Sequence, residues 1–548
     1  MNYDSISNDS RADLSSHISL QIQKSTDAFD SFISKAQLHP KLYQREGLQF
    51  CLSREIQADL LDVVPGADYS HAPRGGIVAD EMGLGKTIMM IGLVVSHFKL
   101  RTLIVLPVPL VQQWVQQFIR TTGHSPLLFT GQHKYRITTQ QLLDAPIVIT
   151  TYGHISRRSL STSSHESSSR TSLLLYKPHR VIFDEAHHLR NHNTSLFQGA
   201  IHLVRRLPNI SYSLPPPIVW IVTGTPIQNS FADLKTLASL FGVSFPHHRS
   251  SDFTSYLQQF SRDFILRRTK LSVGLSLPPI HTHTVSIPWN DIHERHLSQA
   301  IHYAIPFSRS FEKLSLYIRA RQMCTLPNMI DPEIAFTYST ILHNSTLEHS
   351  HDLDSITREI DISSGDDSSD YDYDYDSHSI SHQDIQLHIQ HAINGISKLN
   401  AVASRISTSH KSLVFCHYRR EMHFLKHAIL RIHPDISVDV IHGGVSLSER
   451  ERILELAPQV IILQIQTCSE GLNLQLYNHV HFVSPHWNPS IEDQAIARAH
   501  RFGQTQDVHV FRYYMQDILS ASSIDSISSA VQHSKRDIIQ LYIPIPVA

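Results

Sequence analysis

Ten short apolar, β-branched runs constrain this chain more than any other feature. In the first half they are "GGIVA" (75–79), "TLIVLP" (102–107), "PIVITTY" (146–152), "RVIFDE" (180–185) and "VWIVTGT" (219–225). In the second half they are "SLVFCHY" (412–418), "VDVIHGG" (438–444), "VIILQI" (460–465), "HVHFVSP" (479–485) and "VHVFRYY" (508–514). Longer amphipathic stretches separate them. Strands that alternate with helical patterns predict βαβ units and parallel sheets. Two such series predict an α/β chain with two parallel-sheet domains. A helical, non-repeating stretch over about 273–395 is expected to connect them.

The polar residues with chemical potential follow the strands. "DE" ends the fourth run, "TGTP" the fifth, and "TCSEGLN" follows the eighth. Open parallel sheets take ligands at the carboxyl ends of their strands. Placement therefore points to a ligand site independently of residue type.

Composition narrows the class. Hydrophobic residues make up 41% of 548 and charged residues 18%, enough for large cores. The net charge of -2 conceals an asymmetry: 352–376 carries ten acidic residues and one Arg, leaving the remainder at +7. A mildly basic body is compatible with a DNA partner. Four separated cysteines (51, 324, 416, 468) form no C-x-x-C pair, so neither a disulfide framework nor a zinc site is expected. His281 and His283 share a strand face without a further ligand in sequence, and metal binding there is not expected. The N-terminus lacks an apolar signal core, and "TLIVLPVPLV" is too short to span a bilayer. An intracellular protein without a membrane partner is expected. "SRRSLSTSSHESSSRTS" (156–172) and "SSGDDSSDYDYDYDSHS" (363–379) carry too little apolar surface to offset ordering entropy.

The stretch "IVADEMGLGKTIMM" (77–90) has the ending of the phosphate-cradling motif G-x-x-x-x-G-K-[ST], but Asp80 stands where the first Gly belongs. A strand precedes it and a helical pattern follows, the setting in which backbone N–H groups and a helix N-terminus hold phosphates. Asp80, Glu81, Met82, Gly83, Leu84, Gly85, Lys86 and Thr87 are the candidate binding residues. Lys86 would reach the β/γ-phosphates and Thr87 would ligate Mg²⁺. Gly83 and Gly85 supply unusual backbone angles, and an Asp adopts turn conformations through its own side chain. "VIFDEAHH" places Asp184 and Glu185 at a strand end, one for Mg²⁺ and one to polarise the attacking water. Together these halves predict hydrolysis of ATP or GTP.

Many motifs in order resemble the superfamily-two helicase-like ATPases of the Swi/Snf type, over about 38–514. "LYQREGLQF" (42–50) looks like the adenine-reading segment, with Gln44 as the base contact. "DEMGLGKT" (80–87) is similar to the family's own P-loop, Asp included. "TLIVLPVPLVQQW" (102–114) and "IVITTYG" (147–153) resemble its DNA-strand motifs. "DEAHHLRN" (184–191), "TGTPIQNSFADL" (223–234) and "FILRRTK" (264–270) follow. In the second half "SLVFCHYRREMHFL" (412–425), "IHGGVSLSERERI" (441–453), "TCSEGLNLQ" (467–475) and "WNPSIEDQAIARAHRFGQTQDV" (487–508) continue the match. The last resembles an arginine-finger motif, with Gln494, Arg498 and Arg501 facing the nucleotide. Such a guanidinium stabilises charge on the transferred phosphoryl.

The resemblance implies two RecA-like domains: 38–272, with the Ser-rich insert at 156–172, and 396–548. A polar tail (1–37) precedes them, and a connector (273–395) with an acidic insert at about 352–379 joins them. It implies ATP and Mg²⁺ as cofactors, and duplex DNA held through phosphates as partner, with nucleosomes or transcription machinery beyond. Thr151, Thr223, Gly224, Thr225 and Gly471 would contact DNA or couple it to ATP. Translocation that remodels protein–DNA complexes is the leading expectation. A strand-separating DNA or RNA helicase, and a DNA-bound transcription or repair adaptor, stay open. The compartment implied is a nucleus, or for a viral chain a replication compartment or virion. "HGGV" (442–445) replaces the usual Asp-Gly-Ser-Thr. "RQMCTLPNMI" (321–330) resembles the helicase-like transcription factor subgroup, but no RING cysteines accompany it. Oligomeric state is left open.

Overall fold

A computed structural model describes residues 8–63, 72–156, 172–205, 215–247, 250, 252–306, 308, 310–330, 332–347, 395–468, 472, 474–518 and 522–542. The chain divides into two compact units: Met1–Ser276 with Lys535–Ala548, and Leu277–Ser534.

The first unit is built on seven strands: β1 (Gly75–Val78), β2 (Thr102–Leu106), β3 (Leu127–Phe129), β4 (Ile147–Thr151), β5 (Arg180–Asp184), β6 (Ile218–Val222) and β7 (Ile265–Leu266). Their order is β3-β4-β2-β5-β6-β1-β7, and every pairing is parallel. The inner strands are continuous apolar runs because helices cover both faces. Ile77, Val105, Phe183 and Ile221 enter one core layer. Their neighbours Val78, Ile104, Ile182 and Val222 enter the other.

Residues 1–37 are not simply a polar tail. Asn8–Lys35 is a helix, and its Phe29, Phe32 and Ile33 are buried in a core with Leu48, Leu52 and Leu93. Their i, i+3, i+4 spacing makes one narrow apolar face. The polar residues around it dominated the composition and hid it.

A buried ion pair anchors the amino end of β5. Arg180 and Glu55 are both fully buried, with Arg180 Nε 2.6 Å from Glu55 Oε1 and Nη2 2.5 Å from Oε2. Trp220 Nε1 (2.9 Å) and His97 Nδ1 (2.6 Å) complete the shell around Glu55. Burial opposes ionisation there, but Arg180 and His97 outweigh it and hold the carboxyl far below the usual range.

The second unit carries β8 (Ile280–Ile287), β9 (Ser412–Cys416), β10 (Val438–Ile441), β11 (Val460–Gln464), β12 (His479–Phe482) and β13 (Val508–Met515). Their order is β10-β11-β9-β12-β13-β8, again all parallel. The described parts of 273–395 are not a separate connector. β8 pairs with β13, and Leu297, Ile301, Leu316, Ala320 and Met323 join the core that holds Val414 and Tyr513. β8 was not among the ten expected runs, although His281 and His283 were expected on one strand face, because "IHTHTVSI" alternates His with Thr without the apolar period that marks a half-buried strand.

The chain's end also departs from expectation. Lys535–Ala548 belongs to the first unit, where Ile538, Ile539 and Tyr542 pack on the core and Tyr542 lies 4.9 Å from Phe231. Most of the Ser-rich insert and all of the acidic insert lie outside the described residues. Among the described residues no helix is long and apolar enough to cross a membrane.

Candidate nucleotide site

The loop after β1 delivers its glycines to a helix start. Gly83 (φ 91°) and Gly85 (φ 79°) are left-handed, and Gly85 caps the helix Lys86–Ser96. A Cβ on Gly85 would stand 2.3 Å from Gln44 Nε2, so a side chain there would displace Gln44, and the left-handed angle favours Gly. Gln44 is buried against this loop and donates to Leu84 O at 3.2 Å. Lys86 Nζ folds into the same loop and donates to Asp80 O at 2.8 Å. Thr87 is half-buried in the helix's first turn.

The structure explains Asp80. Its carboxylate is buried and forked onto Arg268: Oδ1 accepts from Arg268 Nε at 3.0 Å, and Oδ2 from Nη2 at 2.5 Å. The backbone N–H of Arg268 adds a third bond at 3.1 Å. Arg268 also donates to Tyr43 O, next to Gln44 in sequence. Glu81 repeats the device, accepting from Lys270 N at 2.8 Å with Lys270 Nζ 3.2 Å away. The loop is therefore strapped to 265–270 by charge-assisted bonds that a glycine could not make. Leu84 is buried beneath it.

Asp184 and Glu185 leave the carboxyl end of β5, which β6 separates from β1 in the sheet, and the charge of Lys86 is felt at Asp184. Asp184 Oδ2 accepts from Trp114 Nε1 at 2.8 Å, and Oδ1 accepts from Glu185 N at 3.0 Å. Burial, and then the adjacent Glu185, push the Asp184 carboxyl well above the usual carboxylate range. Tyr152 Oη donates to Asp184 O at 2.7 Å and fixes the turn. Glu185 is left-handed (φ 49°, ψ 47°), a conformation that costs a non-glycine residue about 1–2 kcal/mol. His187 Nδ1 lies 3.3 Å from its Oε2.

The loop after β6 touches both parts. Thr223 is fully buried and its N–H donates to Val78 O at 3.1 Å. A Cβ on Gly224 would meet Met82 at 3.1 Å and Lys86 Nζ at 3.8 Å, so this loop lies directly on the glycine-rich one. Thr225 Oγ1 accepts from Gln228 Nε2 at 3.2 Å, and Gln228 Oε1 accepts from Arg190 Nη1 at 2.7 Å. Arg190 follows the DEAH residues, so a chain of polar contacts joins the carboxylate turn to the β6 loop. Thr151 is buried at the end of β4.

In the second unit, Gln494, Arg498 and Arg501 lie on or just past the helix Pro489–Ala499. Asn488 caps it and Pro489 opens it. Glu492 anchors this helix, accepting from His486 N (2.9 Å), Gln532 Nε2 (2.6 Å) and Arg512 Nε (2.9 Å). Gln494 is buried, whereas Arg498 and Arg501 are half-buried. Burial lowers the Arg501 pKa from its ordinary value. The "HGGV" departure forms a turn in which His442 Nδ1 accepts from Gly444 N at 3.0 Å. Gly471 lies outside the described residues.

Sequence reasoning missed Trp114 and Arg268 as members of the site. Both stood inside motifs already singled out, at the end of "TLIVLPVPLVQQW" and within "FILRRTK". Their partners, Asp184 and Asp80, are 70 and 188 residues away, so only folding reveals them.

Comparison with known proteins identifies the family. The SNF2-related domain matches residues 43–329, more than half the chain, and the helicase conserved C-terminal domain matches 395–503. A "Probable global transactivator" of Orgyia pseudotsugata multicapsid polyhedrosis virus is 24% identical, covering 84% of this chain and 86% of that protein. "DNA repair protein RAD5" of Candida albicans is 23% identical over 85% of this chain and 56% of its own length. "DNA excision repair protein ERCC-6-like" of Danio rerio is 24% identical over 87% and 34%. The chain thus spans only about half or a third of these two repair proteins. A solved "Sulfolobus solfataricus SWI2/SNF2 ATPase core in complex with dsDNA" is matched over 93% of this chain and 98% of that one at 19% identity, with a TM-score of 0.35. The chain belongs to the SNF2-related, Swi/Snf-type helicase-like family of DNA-dependent ATPases.

Proposed function

We propose that this chain hydrolyses ATP to drive translocation along duplex DNA, displacing or repositioning proteins bound to it. One observation carries the reading. The glycine-rich loop, the Asp184–Glu185 turn and the β6 loop converge, with Gly224 packed on Met82 and Lys86. A change at the phosphates would therefore be felt by the β6 loop, the segment proposed to couple ATP to DNA.

In this mechanism the N–H groups around Gly85 and the start of the helix Lys86–Ser96 hold phosphates. Lys86 leaves its carbonyl contacts in the loop for the β/γ-phosphates. Gln44 reads the base from its seat beside Leu84. Asp184 and the Thr87 hydroxyl form a donor set that fits Mg²⁺, because a buried carboxyl beside a second one favours a nearby cation. The cation would neutralise developing phosphate charge. Glu185 orients and accepts a proton from the attacking water, while Trp114 holds the Asp184 carboxyl in place. Gln494, Arg498 and Arg501 supply the polar and positive groups that stabilise the transferred phosphoryl. Thr151, Thr223, Thr225 and Gly471 serve the DNA track. Phosphate contacts dominate there, so sequence preference is weak.

The deciding experiment compares ATP turnover with no nucleic acid, duplex DNA, single-stranded DNA and RNA. Stimulation by duplex DNA, with displacement of a third strand but no separation of the duplex, is expected. Stimulation by RNA alone would defeat the proposal. Repair and transcription proteins among the relatives make a nucleus or a viral replication compartment the proposed setting.

A further inference from the structure

Arg268 joins segments that the sequence keeps far apart. Its guanidinium is forked onto Asp80 of the glycine-rich loop, with Nε 3.0 Å from Oδ1 and Nη2 2.5 Å from Oδ2. The same group donates to Tyr43 O, in the first turn of the helix Leu42–Val63. It also stands 5.8 Å from the centroid of the Tyr43 ring. Gly47, one turn further along that helix, leaves room for it: a Cβ there would lie 2.6 Å from Arg268 Nη2. A cation at the start of a helix opposes the helix dipole. Asp80 offsets that charge, and Glu46 Oε2 lies 4.0 Å from Nη1. The helix alone therefore gives no reason for an arginine here. Position gives one, because Tyr43 immediately precedes Gln44, the residue assigned to the base.

Gln44 is held on its other side by the loop. Its Nε2 donates to Leu84 O at 3.2 Å, and Gly85 has no side chain to displace it. That bond fixes the amide, because a flipped amide would set Oε1 against Leu84 O, acceptor against acceptor. Oε1 is thus kept for the base, where it accepts from an exocyclic amine and repels a keto oxygen. Adenine carries the amine at that edge and guanine the oxygen. The choice depends on two spacings: Gln44 to Leu84, and the helix start to the loop. Arg268 sets the second, since it bonds both Tyr43 O and Asp80.

We infer that Arg268 is a positioning residue for base selection, holding Gln44 against the loop so that ATP is taken and GTP refused. The inference rests on the ATPase reading above and adds a residue that acts through Gln44. The planar guanidinium suits the role. It engages a carboxylate with two N–H groups and still presents another to a carbonyl, whereas a lysine is a single point of charge. A strap that only shaped the loop would weaken every phosphate ligand alike. Base selection is a difference between two affinities, from which a common loss cancels.

Equilibrium binding to the full chain without DNA tests this by calorimetry, with ATP, GTP and inorganic tripolyphosphate as probes. The natural chain is expected to prefer ATP to GTP by about tenfold or more, as one good amide–adenine pair provides. Arg268→Lys should bring that ratio to within about twofold of unity, weakening ATP more than GTP or tripolyphosphate. Gly47→Ala keeps every loop residue and presses on Arg268 Nη2 and Met89 Sδ from the helix side, so it should lower the ratio in the same direction. An unchanged ratio in the folded variants, with all three probes weakened alike, would overturn the inference and leave Arg268 as a loop strap. A natural chain that binds none of the three probes would instead overturn the ATPase reading, so the two failures are told apart.

Discussion

Strand β5 has a charged residue at each end, and the two ends behave oppositely. At its start, Arg180 meets Glu55 in a buried cluster in which Trp220 and His97 also bond to the carboxylate. At its finish, Asp184 is also buried, but the charge that acts on it most is another carboxylate, Glu185, which itself sits in a strained conformation. One carboxyl is held far below its ordinary range and the other is pushed above it. Burial opposes charge at both ends; the partner decides the outcome. The difference separates a structural ion pair from a site prepared for a cation and a phosphate. Strain and unbalanced charge collect at the ligand end of the sheet.

That contrast can be broken by mutation. The largest effect is expected for Glu185→Gln, which should lower DNA-stimulated turnover about 10²–10⁴-fold, the usual contribution of a general base, with unchanged unfolding. Glu55→Ala should do the reverse. It strands Arg180 without its counter-ion and should cost about 3–5 kcal/mol in urea unfolding of the first unit. If Glu55→Ala instead slowed turnover in a fully stable protein, the division between the two ends of β5 would be wrong.

Asp80→Gly restores the general phosphate-loop pattern, yet should weaken the site. It removes a forked charge-assisted contact to Arg268, so about 2 kcal/mol of stability and a rise in KM for ATP are expected. An improved KM would show that the strap is dispensable. Trp114→Phe is subtler. Losing the indole N–H destabilises the Asp184 carboxylate, so the acidic limb of the pH–rate profile should move to higher pH, with about 1 kcal/mol lost in stability.

The second unit sharpens the same lesson through pH. Burial lowers His479 to about 4 and His481 to about 3, with neighbouring imidazoles contributing. The unfolded chain binds these protons first, near pH 6.5. Their contribution to stability is therefore complete above pH 6.5 and falls as pH drops toward 4. Glu55, with a depressed pKa, keeps its contribution throughout that window. Urea midpoints measured unit by unit between pH 7.5 and 4.5 should fall in the second unit while the Glu55–Arg180 cluster still holds the first.

Much of this was legible in sequence because strand period, turn residues and motif order are local. All ten expected runs became strands, and the loop "DEMGLGKT" and the turn "DEAHH" lie at strand ends. What was missed depended on surroundings. β8 lacks an apolar alternation because its exposed edge needs none. The helix Asn8–Lys35 hides three apolar residues in a polar run. The histidines of β8, β13 and β12 need three strands in register before they become neighbours.

By itself, the sequence determined the two parallel-sheet units and the glycine-rich loop, which are written in periodicity and spacing along the chain, and the resemblance of its motifs to known ones pointed to the family. Tertiary structure decided why Asp80 is present, which indole holds Asp184, and which histidines share a face. Those are contacts between residues tens to hundreds of positions apart. Their energies depend on burial and on the charge of the partner, and neither exists until the chain has folded.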